Sequence, residues 1–213
     1  MPVIESRVDT ASDTFRENAA AMQAQLDEIA RIEDLKSAAQ EKARPLFDKR
    51  GKLLPKERLA LLLDPGTPFL ELSALAGYLM YDDRDGSGAG GSIAGIGYVS
   101  GKRCMVIVSN SAVKGGTVTP AGLNKSLRLQ DIALENKLPI VGLMEGGGAN
   151  LQHVSDMFVE GARSFANQAR LSAAGIPQIS VVHGSSTAGG AYQPGVSDYV
   201  VMVRGRSKVF LAG

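Results

Sequence analysis

Between residues 13 and 43 the chain has neither glycine nor proline, and its apolar residues are set among alanines and charges. Such a stretch favours a helix. Leu26, Ile29 and Ile32 fall at steps of three along one side of it, and Ser12 and Asp13 suit its start. The expectation is a helix packed on the domain or on a partner subunit. A second helix, "PKERLALLL", has Pro55 in its first turn and stops before Asp-Pro-Gly. From Phe69 to Asn110 the pattern shortens to "FLELSALAGY", "GSIAGIGYVS" and "RCMVIVSN", divided by the turns "DDRDGSGAGG" and "SGKR", which predicts strands in series. Beyond Asn110 the pattern alternates: helix 121–137, strand 139–145, helix 155–175, strand 177–184, a turn, and strand 198–205. Strands separated by helices are parallel strands with crossover connections, so the predicted class is α/β.

Composition narrows the picture. The 213 residues suit one domain, or part of a larger protein, with 44% hydrophobic residues and 25 glycines serving many tight turns. A net charge of +1 gives no general electrostatic attraction to nucleic acid or an anionic membrane. The single cysteine, Cys104, lies in the apolar run "CMVIVS" and reads as a buried, inert thiol. It has no internal disulfide partner, and four-cysteine zinc coordination is excluded. No stretch reaches about 18 apolar residues, and no signal-peptide core opens the chain, so a cytoplasmic protein is expected. The closing run "SKVFLAG" is apolar and strand-like, and a continuing chain is expected beyond it.

Two glycine-rich turns carry the candidate chemistry. The strand "PIVGLM" runs into Glu145-Gly146-Gly147-Gly148-Ala149-Asn150, and the next strand runs into Gly184-Ser185-Ser186-Thr187-Ala188-Gly189-Gly190. Open α/β sheets place ligands past the carboxyl ends of their strands. Glycine lets a ligand approach the peptide group, and a helix beginning there supplies free N–H groups. Side by side, the turns would form a donor pocket for negative charge developing on an oxygen. The plainer reading is two tight strand-to-helix turns. Neither phosphate-loop nor dinucleotide fingerprint fits. Gly184-Ser185-Ser186-Thr187-Ala188 comes near a nucleophile elbow, but its last glycine is alanine, and only His153 and His183 could serve as base. Hydrogen bonding within the turn is the plainer role for these hydroxyls. The two histidines, 30 residues apart with no carboxylate at ligand spacing, predict no metal site. Lys125 and Arg128, with Lys114 before them, could hold phosphates near one helix start; solvated helix charges are the alternative.

Taken together, "RGKLLPKERLALLLDPGTPFLELS", "GIGYVSGKRCMVIVSN", "VKGG", "GGGANL", "NQARLSAAGIPQISVV" and "STAGGAYQPGVSDYVVMV" resemble the carboxyltransferase (β) subunit of biotin-dependent acyl-CoA carboxylases. The methylcrotonoyl-CoA branch is the most similar. The resemblance implies a crotonase-like fold of stacked ββα units forming two nearly perpendicular sheets. It implies an N-terminal helical extension over residues 1–66 and a carboxyltransferase N-domain over 67–213, with a C-domain missing. The implied activity is transfer of CO₂ from carboxybiotin to an acyl-CoA through a thioester enolate. Biotin would be delivered by a biotin carboxylase and carrier α subunit, coenzyme A would come with the substrate, and no metal is implied. A hexamer-type β core is expected, with no nucleic acid or membrane partner.

Residue by residue, Gly189 and Gly190 match the oxyanion-hole glycines. Gly147, Gly148 and Ala149 match the acyl and pantetheine path, with Ala191 beside the substrate, and Lys125 and Arg128 match basic positions near the CoA phosphates. Two departures touch the acyl pocket. Methylcrotonoyl enzymes read Asp-Ser-Gly-Gly-Ala-Asn-Leu-Pro where this chain has Glu145 to Gln152, and an aromatic pair where it has Val118 and Thr119. A different branched, unsaturated or longer acyl-CoA is therefore expected. The alternatives are a crotonase-like hydratase, isomerase or decarboxylase, with Glu145 or Glu160 as its carboxylate, and a non-catalytic CoA-binding assembly module.

Overall fold

Three helices precede the first strand: α1 (Asp13–Lys42), α2 (Arg44–Lys49) and α3 (Pro55–Leu62). They belong to a computed structural model that describes residues 5–81, 83, 84, 86, 88 and 91–211. Part of the glycine-rich turn at 82–91, with Ala212 and Gly213, lies outside the described residues. Ser12 caps α1 by accepting the Phe15 N–H at 3.2 Å, as its position before the helix predicts. The predicted apolar side of α1 is only partly covered. Ile32 is buried, whereas Leu26 and Ile29 are exposed, so the helix meets the domain through its second half.

The strands are β1 (Leu70–Glu71), β2 (Ser92–Val99), β3 (Lys102–Ser109), β4 (Ile140–Gly146), β5 (Gln178–Thr187), β6 (Tyr199–Met202) and β7 (Lys208–Phe210). They form one path in the order β1–β2–β3–β4–β5–β6, antiparallel as far as β3 and parallel beyond, with β7 pairing β5 off the path. The β2–β3 hairpin turns on Ser100 and Gly101, both at positive φ (51° and 74°), as a two-residue turn matching strand twist requires. Asp64 holds that turn by accepting both amides, at 2.8 and 2.6 Å. The parallel strands are joined by α4 (Pro120–Asn136) and α5 (Val154–Ala173).

Side-chain alternation along β3 builds a core on each face. Cys104, Val106 and Val108 join Leu59 of α3, Ile93 and Leu143 on one side. Met105 meets Leu129, Ala133, Leu171 and Ile176 under α4 and α5 on the other. Burial pushes the Cys104 thiol above its ordinary pKa, in keeping with an inert side chain. Because Leu59 lies before the expected boundary at residue 66, α3 is part of the core of the strand domain.

Two predictions need correction. The strand read from "FLELSALAGY" shrinks to Leu70–Glu71, because Ser73, Gly77 and Leu79 take positive φ and fold the stretch into turns. The turn after β5 contains a short helix, α6 (Gly189–Gly195), which its glycines and Pro194 concealed. β5 also runs further than predicted. Its first half pairs β6 at Ile179–Val182 and its last residues pair β7 at Ser185–Thr187, with a register shift against β4 between Met144 and Gly146.

Leu59→Ala is expected to destabilise the protein by about 2–5 kcal/mol in chemical denaturation, with one cooperative transition retained. A change under 0.5 kcal/mol would show that α3 is only appended.

Candidate active site

The ends of β4 and β5 meet where the two glycine turns were predicted to lie side by side. The loop after β4 is held by Val118, whose N–H donates to the Gly148 carbonyl at 2.9 Å and whose carbonyl accepts the Asn150 N–H at 2.9 Å. Gly148 has φ +80°, and a Cβ there would stand 3.1 Å from the Thr187 carbonyl oxygen. Both the conformation and the closeness of β5 require glycine.

The chain leaves β5 through Ala188, at φ 48° and ψ −123°, whose N–H donates to the Phe210 carbonyl at 3.0 Å. The next two amides, Gly189 and Gly190, open α6 and have no main-chain acceptor among the described residues. Neither glycine has a positive φ. A Cβ would lie 3.8 Å from Phe165 at Gly189 and 3.5 Å from Ser186 Oγ at Gly190, which is ordinary contact. The backbone does not need glycine at these positions; its absence of side chain leaves the two amides uncovered.

These amides border a half-open cavity of about 200 Å³ between the strand ends, α4 and α5. Gly148, Ala149, Gly189 and Gly190 line one side, and Ile107, Val118, Leu123, Met144, Met157 and Phe165 supply an apolar interior. Among the described residues, the wall carries no Asp, Glu, His, Lys, Arg, Tyr or Cys. Four predicted site residues therefore share one cavity.

The others lie apart. Gly147 faces a second cavity, of about 370 Å³, on the opposite side of the loop, and its N–H donates to the Gly115 carbonyl at 3.3 Å. Ala191 is buried, with its N–H committed to the Ala188 carbonyl at 2.9 Å. Lys125 turns inward: its Nζ donates to the Ser92 carbonyl at 2.8 Å, and burial pushes its pKa down to about 8. Arg128 and Lys114 are exposed, so the expected trio of cations is not assembled. Ser186 Oγ donates to the Gly190 carbonyl at 2.9 Å, which is the turn-bracing role rather than that of a nucleophile.

A charge cluster that the sequence reading missed sits behind the β4 loop. Glu145 is 8% exposed and pairs with Lys52 and with Arg58, the latter at 2.6 Å, while Ser111 Oγ donates to it at 3.1 Å. A Cβ on Gly184 would collide with this carboxylate. Burial works to raise the Glu145 pKa, but hydrogen bonds from Lys52 and Arg58 outweigh it and hold the group below the ordinary carboxylate value. Neighbouring His183, its Nε2 buried and unpartnered, is pushed down by burial and by Arg58, so its neutral form is favoured. Glu145 borders the second cavity and not the apolar one, while Glu160 is on the surface with Arg163 at 2.6 Å. Among the described residues, no carboxylate lines the apolar cavity, where a hydratase would need one. The sequence offers Glu145 as a candidate carboxylate but not its ion pairs, because Lys52 and Arg58 are 93 and 87 residues away.

A strand-end pocket of bare amides on this α/β frame is a candidate oxyanion site, and sequence comparison gives the family. Residues 48–213 match the carboxyl transferase domain, and the chain belongs to that family. It is 46% identical, over 99% of its length, to a probable biotin-dependent acyl-coenzyme A carboxylase beta2 subunit of Mycobacterium tuberculosis. It is 45% identical, again over 99%, to a probable mitochondrial methylcrotonoyl-CoA carboxylase beta chain of Drosophila melanogaster. Among solved structures, the beta subunit of P. aeruginosa geranyl-CoA carboxylase superposes over the whole chain with a TM-score of 0.91 and 61% identity. The fold is thus the crotonase-like one expected. The chain spans about two-fifths of these relatives, 39%, 37% and 40% of their lengths.

Glu145→Gln is expected to cost about 3–5 kcal/mol at neutral pH, since it leaves buried cations unpaired. A carboxyl whose folded pKa is depressed contributes stability above its ordinary value near 4.5 and loses it as pH falls through the folded value. The gap between wild type and Glu145→Gln should therefore narrow in denaturation curves taken below about pH 4. A gap independent of pH would contradict the ionised pair.

Proposed function

We propose that the chain is the N-domain of the carboxyltransferase subunit of a biotin-dependent acyl-CoA carboxylase. It binds the acyl-CoA and holds the thioester enolate on the amides of Gly189 and Gly190. The observation that carries this reading is the pairing of free amides with a wall that, among the described residues, holds no ionisable side chain. Removing a proton next to, or vinylogous to, a thioester carbonyl moves charge onto its oxygen, and preorganised amides in a dry site stabilise that charge. A hydratase or isomerase would need a protein base in the same space. The carboxyl group and the base for the substrate's proton both come with carboxybiotin when it is bound, which fits a wall that offers neither.

The chain's own residues then have limited tasks. Gly148 and Ala149 flank the thioester, and Ala191 and Ser186 fix the first turn of α6 so that its amides keep their direction. The apolar interior takes the acyl chain and excludes water. Gly147 supports the loop from its far side. Arg128, exposed on α4, suits the phosphates of coenzyme A, and buried Lys125 holds the Ser92 carbonyl at the cavity wall. The 61% identity with a geranyl-CoA enzyme and the small Val118 favour a branched, unsaturated acyl chain longer than methylcrotonyl. A biotin-bearing α subunit, further β copies and a cytoplasmic setting belong to the same reading. Among the described residues no helix is long and apolar enough to cross a membrane.

Gly190→Val should lower carboxyl transfer by at least about 10²-fold, because its side chain covers the amide. Gly190→Ala should change stability by about 1 kcal/mol or less while still slowing transfer. Full activity in Gly190→Val, assayed by acyl-CoA-dependent decarboxylation of carboxybiotin, would remove the oxyanion role.

Val118→Phe should narrow the acyl cavity. The expected result is a fall in kcat/KM of about 10-fold or more for a geranyl-type chain, with a smaller effect on short acyl groups. Equal loss for both would place Val118 outside the acyl path.

A further inference from the structure

The apolar cavity does not end in a closed hydrophobic floor. One helical turn further along both covering helices, from Ser126 to Gln130 on α4 and from Ser164 to Gln168 on α5, lies a chamber of about 40 Å³. It shares Ile107, Ser126, Met144 and Gln193 with the larger cavity, and it reaches down β4 and β5 to Ile140 and Gln178. An acyl chain whose carbonyl sits at Gly189–Gly190 and which runs inward therefore meets this chamber next.

The chamber is polar, and its hydrogen bonds are only partly made. Gln130 Nε2 donates to the Ser164 carbonyl at 3.0 Å, and Gln178 Nε2 donates to the Gln168 main-chain carbonyl at 2.9 Å. The Ser180 and Ser197 hydroxyls are 2.8 Å apart, and Ser197 Oγ donates to the Gln193 carbonyl at 2.7 Å. Two acceptors remain. Gln130 Oε1 and Gln168 Oε1 have no partner, although their residues are only 4% and 6% exposed. A buried acceptor left unmade is costly, and about 10–15 Å³ of such space admits a water molecule, so the chamber has room for water.

We propose that this glutamine-lined chamber is the length gauge of the acyl site, a binding place for an O–H donor on Gln130 Oε1 and Gln168 Oε1. The inference rests on the acyl-CoA reading above. With chains that stop at Ser126 and Met144, the donor is ordered water. A longer apolar terminus must expel that water and leave both amide oxygens unpaired, which a displaced ordered water makes unfavourable. A terminus ending in a hydroxyl carries one O–H donor, pairs with one of the two oxygens and is admitted more readily than an apolar one. The gauge works by withholding a partner from polar groups, and that discriminates more sharply than the size of an apolar pocket.

The experiment uses the full-length enzyme with its biotin-bearing partner and measures kcat/KM for a graded series of acyl-CoAs. Each of the longer members is paired with its ω-hydroxy analogue. In the wild type, kcat/KM should fall by about tenfold or more at one chain length, and the ω-hydroxy analogue of that length should recover part of the loss, since its one O–H pairs with one of the two oxygens. Gln168→Leu replaces a side chain whose Oε1 has no partner among the described residues, and should move the fall to a longer chain while reducing the advantage of the hydroxyl. Gln130→Met should act in the same direction, with thermal unfolding checking that each variant is folded. Length profiles unchanged in both variants, or lowered uniformly at every length, overturn the gauge while transfer itself stands. Absence of acyl-CoA carboxylation by the wild type overturns the functional reading and the gauge with it.

Discussion

The ion pairs of Glu145 are the joint on which the site is built. A carboxylate with 8% of its surface exposed is unfavourable unless charged partners and hydrogen bonds replace water, and here Arg58, Lys52 and Ser111 do so. Each partner comes from a different segment. Arg58 is on α3, Lys52 precedes it, and Ser111 opens the loop that carries Gly115 and Gly116. Gly184 must lack a side chain so that β5 can pass close to the carboxylate. One buried charge thereby fixes the end of β4, the course of β5 and the docking of the helices that come before the sheet. Glycines 146–148 follow it directly.

The wall between the two cavities is one backbone thick, and strand alternation gives it two characters. Ser186 faces the apolar cavity, while Ser185 and Thr187 line the other. Gly146 borders both. Glu145 and Lys52 line the second cavity, and no member of the cluster lines the first. The first side offers amide dipoles without a competing charge or base, in surroundings of low polarity where a hydrogen bond to an oxyanion is strongest. On the acyl-CoA reading proposed above, this separation of charge from dipole would let an enolate be stabilised without being reprotonated by the protein.

How far the sequence revealed this depended on the range of each interaction. The helices at 13–43, 121–137 and 155–175 were legible because period and capping are local, and Ser12 caps α1 where its position implies. The alternation of strand and helix beyond Asn110 gave the parallel order for the same reason. The stretch at 69–78 misled because its apolar residues suggested a strand while Ser73, Gly77 and Leu79 adopt turn conformations. Gly148, Ala149, Gly189 and Gly190 were found from the rule that strand ends carry ligands, with the family resemblance giving them roles. Lys125 was read as a phosphate contact because residue type says nothing about direction: its place among Leu123, Leu127 and Leu129 puts it on the inner face of α4. The Glu145 cluster and the glutamine chamber were illegible, since both join segments far apart in the chain.

Ala188 shows how the fold sustains a conformation that its own chemistry opposes. A non-glycine residue at φ 48° and ψ −123° is strained by about 1–3 kcal/mol, and it persists only where the surroundings over-determine it. Three hydrogen bonds do so: Ala188 N–H to the Phe210 carbonyl, Ala191 N–H to the Ala188 carbonyl, and Ser186 Oγ to the Gly190 carbonyl. The first comes from β7, which among the described residues is joined to the sheet through the last residues of β5. The sharp turn sends the chain from strand to helix within one residue, so the next two amides open the helix without having been used in the ladder. A relaxed turn would need more residues and would leave those N–H groups bonded to the turn itself. The strain at Ala188 is thus the structural condition for two free donors at Gly189 and Gly190, and β7 is what keeps it in place.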